Sequence, residues 1–164
     1  MSLIIFVPPV FAISDADSDG VIDSSDVDVD GDGLIEITTL EQLYNIRNNL
    51  SGTAYNDGSG DDSTGCGNNV DILACNGYEL SNDLDFDTNA DGVMGANDAY
   101  WNDGEGWEPI GDESAPFSAL LHGNDFTISN LYIDRSSATH LGLFSTTYGA
   151  TIQNISLAGD LMSI

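Results

Sequence analysis

The pattern of apolar and polar positions predicts one amphipathic helix, over Thr38–Leu50. Apolar side chains recur there at helical spacing, at Leu40, Leu43, Ile46 and Leu50. A capping box can start the helix, formed either by Thr38 with Glu41 or by Thr39 with Gln42. So short a helix cannot bury its apolar face alone, and we expect it to cover neighbouring structure.

From Tyr78 onward the pattern changes to short runs of β character separated by turn residues. Two of these runs share the motif T-I-x-N-[LI]-x-[IL], over Thr127–Ile133 and Thr151–Leu157. A β repeat with a period in the twenties is typical of a solenoid, in which Asn130 and Asn154 would stack as a polar ladder. A sandwich with two similar hairpins is the alternative. We predict an all-β solenoid capped at its N-terminal end by the helix.

Between the N-terminus and the helix, the spacing of acidic residues points to a specific chemistry. It matches the twelve-residue calcium loop, with acidic or amide side chains at positions 1, 3 and 5, glycine at 6, a backbone carbonyl ligand at 7 and acidic residues at 9 or 12. The first loop has these residues at positions 1, 3, 5, 6, 7, 9 and 12: Asp15, Asp17, Asp19, Gly20, Val21, Asp23 and Asp26. The second loop fills positions 1, 3, 5, 6, 7 and 9 with Asp28, Asp30, Asp32, Gly33, Leu34 and Glu36. The third loop fills positions 1, 3, 5, 6, 7 and 12 with Asp87, Asn89, Asp91, Gly92, Val93 and Asp98.

The second loop has Thr39 at its twelfth position, so it is incomplete unless Glu36 or a neighbouring segment closes it. No helical pattern precedes the first loop. Loops without flanking helices resemble thrombospondin type 3 and dockerin-like repeats, in which calcium holds the chain together. We therefore expect two to three structural Ca²⁺ ions. The alternative is a solvated acidic linker.

The charge balance narrows the range of partners. The chain has 2 basic and 28 acidic residues and a formal net charge of −26, which excludes nucleic acid and anionic membranes as partners. Residues 1–12, MSLIIFVPPVFA, form a short apolar run ending in Val10-x-Ala12, which suits a signal-peptidase site. We predict a signal-peptide remnant at 1–12, calcium repeats at 13–37 and the capped solenoid at 38–164. Such a chain would be secreted or held at the cell surface, and no apolar run is long enough to span a membrane.

The two cysteines, Cys66 and Cys75, flank a Gly/Asn-rich loop. In an exported chain this spacing predicts a disulfide. Zinc is the alternative, but neither His122 nor His140 has ligand spacing from a cysteine.

Three catalytic schemes are conceivable for these residues, and we expect none of them to operate. A polysaccharide lyase needs a basic residue, and the chain offers only Arg47 and Arg135, of which Arg47 is expected to be solvated on the helix. A glycosidase could use acidic residues beside tryptophans, namely Asp103, Glu105, Glu108, Trp101 and Trp107. We expect instead that the segment WNDGEGW is a Gly-rich loop whose tryptophans pack against the first coil of the solenoid. The histidines lie in no nucleophile motif, which argues against a Ser-His-Asp triad.

Aromatic residues around the third acidic loop suggest a different role, as a platform for sugar rings. Tyr100, Trp101 and Trp107 could stack on a glycan, with a calcium-bridged hydroxyl near Asp98–Asp103. A carbohydrate-binding or polysaccharide-acting module is therefore the alternative to a structural segment.

Several stretches together resemble the GLUG-repeat proteins of bacteria. They are DGDGLIEITTLEQLYNIRNNL, CNGYELSNDLDFDTNADG, WNDGEGWEPIG and GNDFTISNLYIDRSSATHLGLF, with Gly142-Leu143-Phe144 at the repeat core. The resemblance runs from about Asp28 to the end and implies a right-handed parallel β-helix in a secreted or surface protein, often adhesin-like and sometimes attached to an immunoglobulin A peptidase. It implies no catalytic residues. A glycan or a host surface protein would be the partner. With only about two recognisable repeats, the rest of a longer protein is expected C-terminal to this chain.

Overall fold

Short strands, one α-helix and a few 3-10 turns make up the regular structure of the residues that the structure describes. The computed structural model describes residues 14–19, 21–67 and 73–159, so the predicted signal segment at 1–12 lies outside it. Within the described residues the strands are β1 Ile35–Ile37, β2 Tyr55–Asn56, β3 Asp61–Asp62, β4 Gly77–Leu80, β5 Leu84–Asp85, β6 Leu120–His122, β7 Thr127–Ser129, β8 Thr151–Gln153 and β9 Ser156–Ala158. The helix α1 spans Leu40–Asn45, and 3-10 turns lie at Asp23–Ser25, Ile46–Asn48 and Asn102–Gly104.

Two parallel sheets organise the fold. One has four strands in the order β1-β4-β6-β8, the other has three in the order β5-β7-β9, and β2 pairs with β3 as an antiparallel hairpin. In the four-stranded sheet the strand register aligns apolar residues in one column across the strands and polar residues in the next. Its apolar column is Ile35, Tyr78, Leu121 and Ile152. Its polar column is Glu36, Glu79, His122 and Gln153.

The apolar column faces the core, and its burial ends at the last strand. Ile35, Tyr78 and Leu121 are buried, whereas Ile152 of β8 is 42% exposed. The three-stranded sheet behaves in the same way, since Leu84 and Ile128 are buried while its Leu157 in β9 is 59% exposed.

Helix α1 begins as the sequence predicts and ends earlier. Thr39 is the N-cap, and it forms the capping box with Gln42, the second of the two predicted pairs. Leu43 and Ile46 are buried in the core. The α-helix stops at Asn45 and tightens into a 3-10 turn ending at Asn48, because the asparagines that follow compete for backbone hydrogen bonds and favour turns.

An aromatic cluster fills the space beside the helix. Trp107 is fully buried, its ring centroid lies 5.3–5.7 Å from those of Phe86, Tyr100 and Tyr44, and its Nε1–H donates to the Leu143 carbonyl at 3.0 Å. Burial of this ring anchors the loop that precedes it.

The disulfide between Cys66 and Cys75 is confirmed, with a Cα–Cα distance of 5.1 Å. It closes the segment that connects the hairpin to β4. Across the part of the chain that the structure covers, the only α-helix is far too short to reach from one side of a bilayer to the other.

The prediction of an all-β, right-handed parallel β-helix solenoid is wrong. The described residues form a mixed α/β structure of two small parallel sheets, a hairpin and a helix, joined by long irregular segments. The repeat that suggested stacking is divided between the sheets: Thr127–Ser129 pairs with β5 and β9, whereas Thr151–Gln153 pairs with β6. The two motif copies therefore meet out of register, since Thr127 and Ile128 of the first pair with Ser156 and Leu157 of the second, and Asn130 and Asn154 form no ladder.

Candidate calcium sites

The backbone of the three acidic loops has the same conformation at matching positions. The fourth residue of each loop is left-handed: Ser18 at φ 65°, Gly31 at φ 74° and Ala90 at φ 57°. The sixth residue is also left-handed in the second and third loops, with Gly33 at φ 88° and Gly92 at φ 82°. Gly20, the sixth residue of the first loop, lies outside the described residues. Two left-handed residues in one short segment curl the chain sharply, which is why glycine is suited to the sixth position.

Hydrogen bonds inside the loops repeat in the same way. The side-chain oxygen of the third residue accepts from the backbone amide of the fifth, in the pairs Asp17–Asp19 at 3.1 Å, Asp30–Asp32 at 3.2 Å and Asn89–Asp91 at 2.9 Å. The fifth residue accepts from the amide of the seventh, in the pairs Asp19–Val21 at 2.6 Å, Asp32–Leu34 at 2.8 Å and Asp91–Val93 at 2.9 Å. Each bond uses one side-chain oxygen. A carboxylate that makes it keeps a second oxygen for another ligand.

In the first loop the predicted acidic residues converge. Oxygens of Asp15, Asp17 and Asp19 lie within 4.8 Å of one another. The Oδ2 atom of Asp17 is buried and accepts no hydrogen bond. Asp26, at the twelfth position, has a raised pKa, chiefly through burial and further through the negative charges of Asp19, Asp17 and Asp23. Asp23 accepts an amide hydrogen bond from within the loop at 2.8 Å.

The first and second loops are in contact. Gly31 lies against the carboxylate of Asp17, so that a Cβ atom added at Gly31 would come 2.8 Å from Asp17 Oδ2. The two loops therefore touch each other through the Asp17 carboxylate of the first loop and Gly31 of the second.

The second loop is built around a buried carboxylate. Asp28 has no solvent exposure (0%), and its Oδ2 accepts from Gly33 N at 3.0 Å while its Oδ1 is buried without a hydrogen-bond partner. Oxygens of Asp28, Asp30 and Asp32 lie within 4.8 Å of one another. Burial, with added repulsion from Asp32 and Asp30, raises the pKa of Asp28 to about 6.

A second acidic group adjoins this loop, and one of its members was missed by the sequence analysis. Oxygens of Asp30, Glu36 and Glu79 lie within 4.8 Å of one another. Glu36 Oε1 accepts from Val29 N at 2.8 Å, its Oε2 is buried without a hydrogen-bond partner, and burial raises its pKa to about 7. Glu79, in β4, is only 6% exposed, and burial raises its pKa as well. The signal that could have found Glu79 is an acidic residue inside an otherwise apolar strand.

The third loop directs its carboxylates to its own backbone. Asp87 accepts from Asp91 N at 3.1 Å and from Gly92 N at 2.7 Å. Asp98, at the twelfth position, is buried and folds back to accept from Asn89 N at 3.2 Å. Among the described residues, the close groups of three carboxylates belong to the first two loops and to Glu79.

The predicted sugar platform is only partly exposed. Trp107 has no surface on which a sugar ring could stack, because it lies in the core. Trp101 stacks on Tyr132, with ring centroids 4.9 Å apart and planes at 20°. With Tyr100 and Asp98 it lines an open depression of about 640 Å³.

The two arginines hold the aromatic loop in place. Arg47, expected to be solvated, instead pairs with Glu108 at 3.1 Å and covers the Tyr44 ring at 3.7 Å. Arg135 pairs with Glu105 at 2.9 Å and donates to the Trp107 carbonyl at 2.9 Å. Both guanidinium groups are therefore occupied away from the acidic loops.

Comparison with known proteins places this chain beside segments of much longer ones. No protein-family model matches it, and no solved structure does. The chain is 41% identical over 98 residues to Halomucin of Haloquadratum walsbyi, a match that covers 56% of this chain and 1% of Halomucin. It is 36% identical over 62 residues to a Gly-rich membrane protein of Evansella cellulosilytica, covering 37% of this chain and 7% of that protein. The chain thus spans a small fraction of the length of both relatives.

Proposed function

We propose that this chain is a calcium-stabilised structural segment of a secreted or cell-surface protein, with an adhesive role in its parent. The observation that carries the proposal is the set of buried carboxylate oxygens without hydrogen-bond partners, at Asp17, Asp28 and Glu36. A buried charged oxygen with no partner is costly. Ca²⁺ removes that cost, because it takes about six to eight oxygen ligands from carboxylates and backbone carbonyls.

The residues that would hold the ions are those that the spacing predicts. The first ion would use Asp15, Asp17, Asp19, Val21, Asp23 and Asp26. The second would use Asp28, Asp30, Asp32, Leu34 and Glu36, and the third Asp87, Asn89, Asp91, Val93 and Asp98. In each set the seventh-position residue contributes its backbone carbonyl.

The charge of the chain gives these ions a stabilising role. A net charge of −26 with only two arginines and no lysine opposes compaction through self-repulsion. Calcium bound at the loops neutralises carboxylates where they are closest. The proposal assigns no catalytic residue.

Placement at the cell surface is supported by two observations. One relative is named as a membrane protein. The chain also contains a disulfide, a bond that persists in oxidising compartments. Calcium sites of extracellular modules bind at roughly 0.1–1 mM, so such sites fill outside the cell. The resemblance to GLUG-repeat proteins supports the adhesive role, with a glycan or a surface protein as the partner.

The test is thermal unfolding followed by circular dichroism, with and without calcium, under non-reducing conditions. For a dissociation constant of roughly 0.1–1 mM, about 10 mM calcium adds about 1.4–2.7 kcal/mol per site. That corresponds to roughly 3–10 °C per site in a chain of this size. Asp15→Ala and Asp87→Ala should each reduce the calcium-dependent rise, and Asp134→Ala, an exposed position outside the loops, should not. A melting temperature indifferent to calcium would make the loops solvated linkers.

A second candidate function, glycan binding, is favoured by the loop around Trp101. Three non-glycine residues there, Tyr100, Asn102 and Asp103, have positive φ values of 64°, 47° and 54°. Strained backbone of this kind clusters at binding sites. A glycan array read in calcium should show ligands that Trp101→Ala loses and Trp101→Phe retains. Identical arrays for all three proteins would exclude the platform.

A further inference from the structure

We infer that Glu79 of β4 closes the second calcium loop, so that a single cation joins the acidic loop to the four-stranded sheet. The inference rests on the proposed function, because it names a further ligand of one of the proposed sites. It also assigns the site a partner segment far away in the chain, which the loop spacing alone does not contain.

The second loop needs a ligand from outside because its own twelfth residue is engaged elsewhere. Thr39 is the N-cap of α1, where its Oγ1 accepts from Gln42 N at 3.1 Å. In a complete loop the twelfth position supplies a bidentate acidic side chain. The second loop lacks that contribution, and a carboxylate from a neighbouring segment must replace it.

Glu79 is placed to supply this carboxylate. It is the register partner of Glu36 on the neighbouring parallel strand. Oxygens of Glu36, Glu79 and Asp30 lie within 4.8 Å of one another. Because Ca²⁺ binds oxygen at about 2.3–2.6 Å, two of its ligands are up to about 5 Å apart. The three carboxylates therefore lie at the separation that one ion requires.

A second observation points to a ligand at this place. Asp28 shares a close group with Asp30, is fully buried, and has an Oδ1 atom without a hydrogen-bond partner. Glu36 Oε2 is likewise buried and without one. Neither arginine supplies a balancing charge there, since Arg47 and Arg135 pair with Glu108 and Glu105. The nearest basic side chain is the imidazole of His122, the register partner of Glu79 on β6.

The ligand count agrees with calcium. Carboxylates of Asp28, Asp30, Asp32, Glu36 and Glu79, with the Leu34 carbonyl, offer six protein groups, within the range of about six to eight oxygens. Asn124 Nδ2 donates to Glu79 Oε2 at 2.6 Å and to the Leu80 carbonyl at 3.0 Å. Asn124 is thus a positioning residue that orients the Glu79 carboxylate, as outer-shell groups do at metal sites.

The test compares Glu79→Gln with the wild-type chain by calcium titration in a calorimeter and by thermal unfolding. Glutamine keeps the size of the side chain and can still accept from Asn124, so the change removes only the charge. We expect the second site to weaken by roughly tenfold or more, since even outer-shell changes cost roughly 10–100-fold in metal affinity. The melting temperature without calcium should not fall, because Glu79→Gln removes a negative charge that repels the Glu36 carboxylate.

Two controls and one second variant complete the design. Asp30→Asn should lose the same ion, and combining it with Glu79→Gln should add little further loss of binding. Glu113→Gln, at an exposed position, should leave both readouts unchanged. Glu79→Asp keeps the charge but withdraws the carboxylate, so it should retain the ion at lower affinity if Glu79→Gln does not fold.

The outcomes separate this inference from the proposed function. Wild-type protein that binds no calcium overturns both. Wild-type protein that binds calcium, with Glu79→Gln binding it equally well, overturns the role of Glu79 alone. A loss of melting temperature that is the same with and without calcium would give Glu79 a purely structural role and would also overturn the inference.

Discussion

Asp28 offers the sharpest test of the calcium proposal, because replacing it should have opposite effects in the absence and presence of the ion. The residue is fully buried, and burial raises its pKa from 3.8 to about 6. The folded state therefore holds the proton more tightly than the unfolded chain does. The cost of ionising Asp28 in the folded state therefore grows as the pH rises from the unfolded pKa to the folded one, and it is fully present above the folded pKa.

The magnitude follows from the size of that change. At about 1.4 kcal/mol for each pH unit between the two pKa values, ionised Asp28 costs about 3 kcal/mol of folding free energy near neutral pH. Asp28→Asn removes this cost and keeps an oxygen that can accept from Gly33 N. The calcium-free variant should therefore melt roughly 6–12 °C above the wild-type chain near neutral pH. The difference should vanish toward about pH 4, where Asp28 is protonated in the folded wild-type protein.

Calcium should act in the other direction. The variant loses a ligand of the proposed second ion. Calcium should therefore raise its melting temperature less than that of the wild-type chain, by the contribution of one site, which is roughly 3–10 °C in about 10 mM calcium. The assay is thermal unfolding by circular dichroism in chelator and in calcium, at two pH values. Asp134→Asn removes the same charge from an exposed position and should change stability by no more than about 0.5 kcal/mol. A calcium-free variant that is no more stable than wild type, or one with an undiminished response to calcium, would refute the reasoning.

Three further predictions use other features of the chain. Because burial raises the pKa of Glu36 from 4.5 to about 7, the calcium-free protein should lose stability as the pH rises through that range, and melting in chelator that shows a gain would contradict this. Reduction of the Cys66–Cys75 disulfide should lower stability by about 2–3 kcal/mol in denaturant titrations, and an unchanged midpoint would show that the bond constrains nothing. Ala90→Gly should raise stability by about 0.5–1 kcal/mol, because Ala90 is left-handed at φ 57°. Ala99→Gly is the matched control and should lower stability, so a loss in both variants would argue against strain at Ala90.

Local features of this protein followed from its sequence because they depend on residues close together in the chain. The spacing of acidic residues around a glycine predicted three loops, and the backbone turns at matching positions agree from loop to loop. The Thr39–Gln42 capping box was one of two predicted pairs. In these cases a side chain two or three residues away decides the backbone, so one short stretch contains all the information.

The pairing of strands that lie far apart in the chain could not be predicted from the sequence in the same way. The T-I-x-N motif suggested two stacked coils, yet Asn130 and Asn154 are simply left-handed residues, at φ 57° and 52°, that end two strands. The motif encodes a strand and its turn, which is a local property. Which strand pairs with which is decided by the connecting segments and the core. For this reason the solenoid prediction was wrong, and the sequence analysis missed Glu79, which meets the second loop only through the pairing of β1 with β4.

The contact between Asp17 of the first loop and Gly31 of the second has a consequence for how the chain responds to calcium. In the proposed first site Asp17 would bind the ion from one side, and its carboxylate packs on Gly31 of the second loop. An ion that fixes Asp17 also fixes the turn on which the second ion depends, so the two binding events should be cooperative. A calcium titration should then give a Hill coefficient above one, and Gly31→Ala, which disturbs the contact, should bring it toward one. A segment coupled in this way would take up calcium over a narrower range of concentration than two independent sites would.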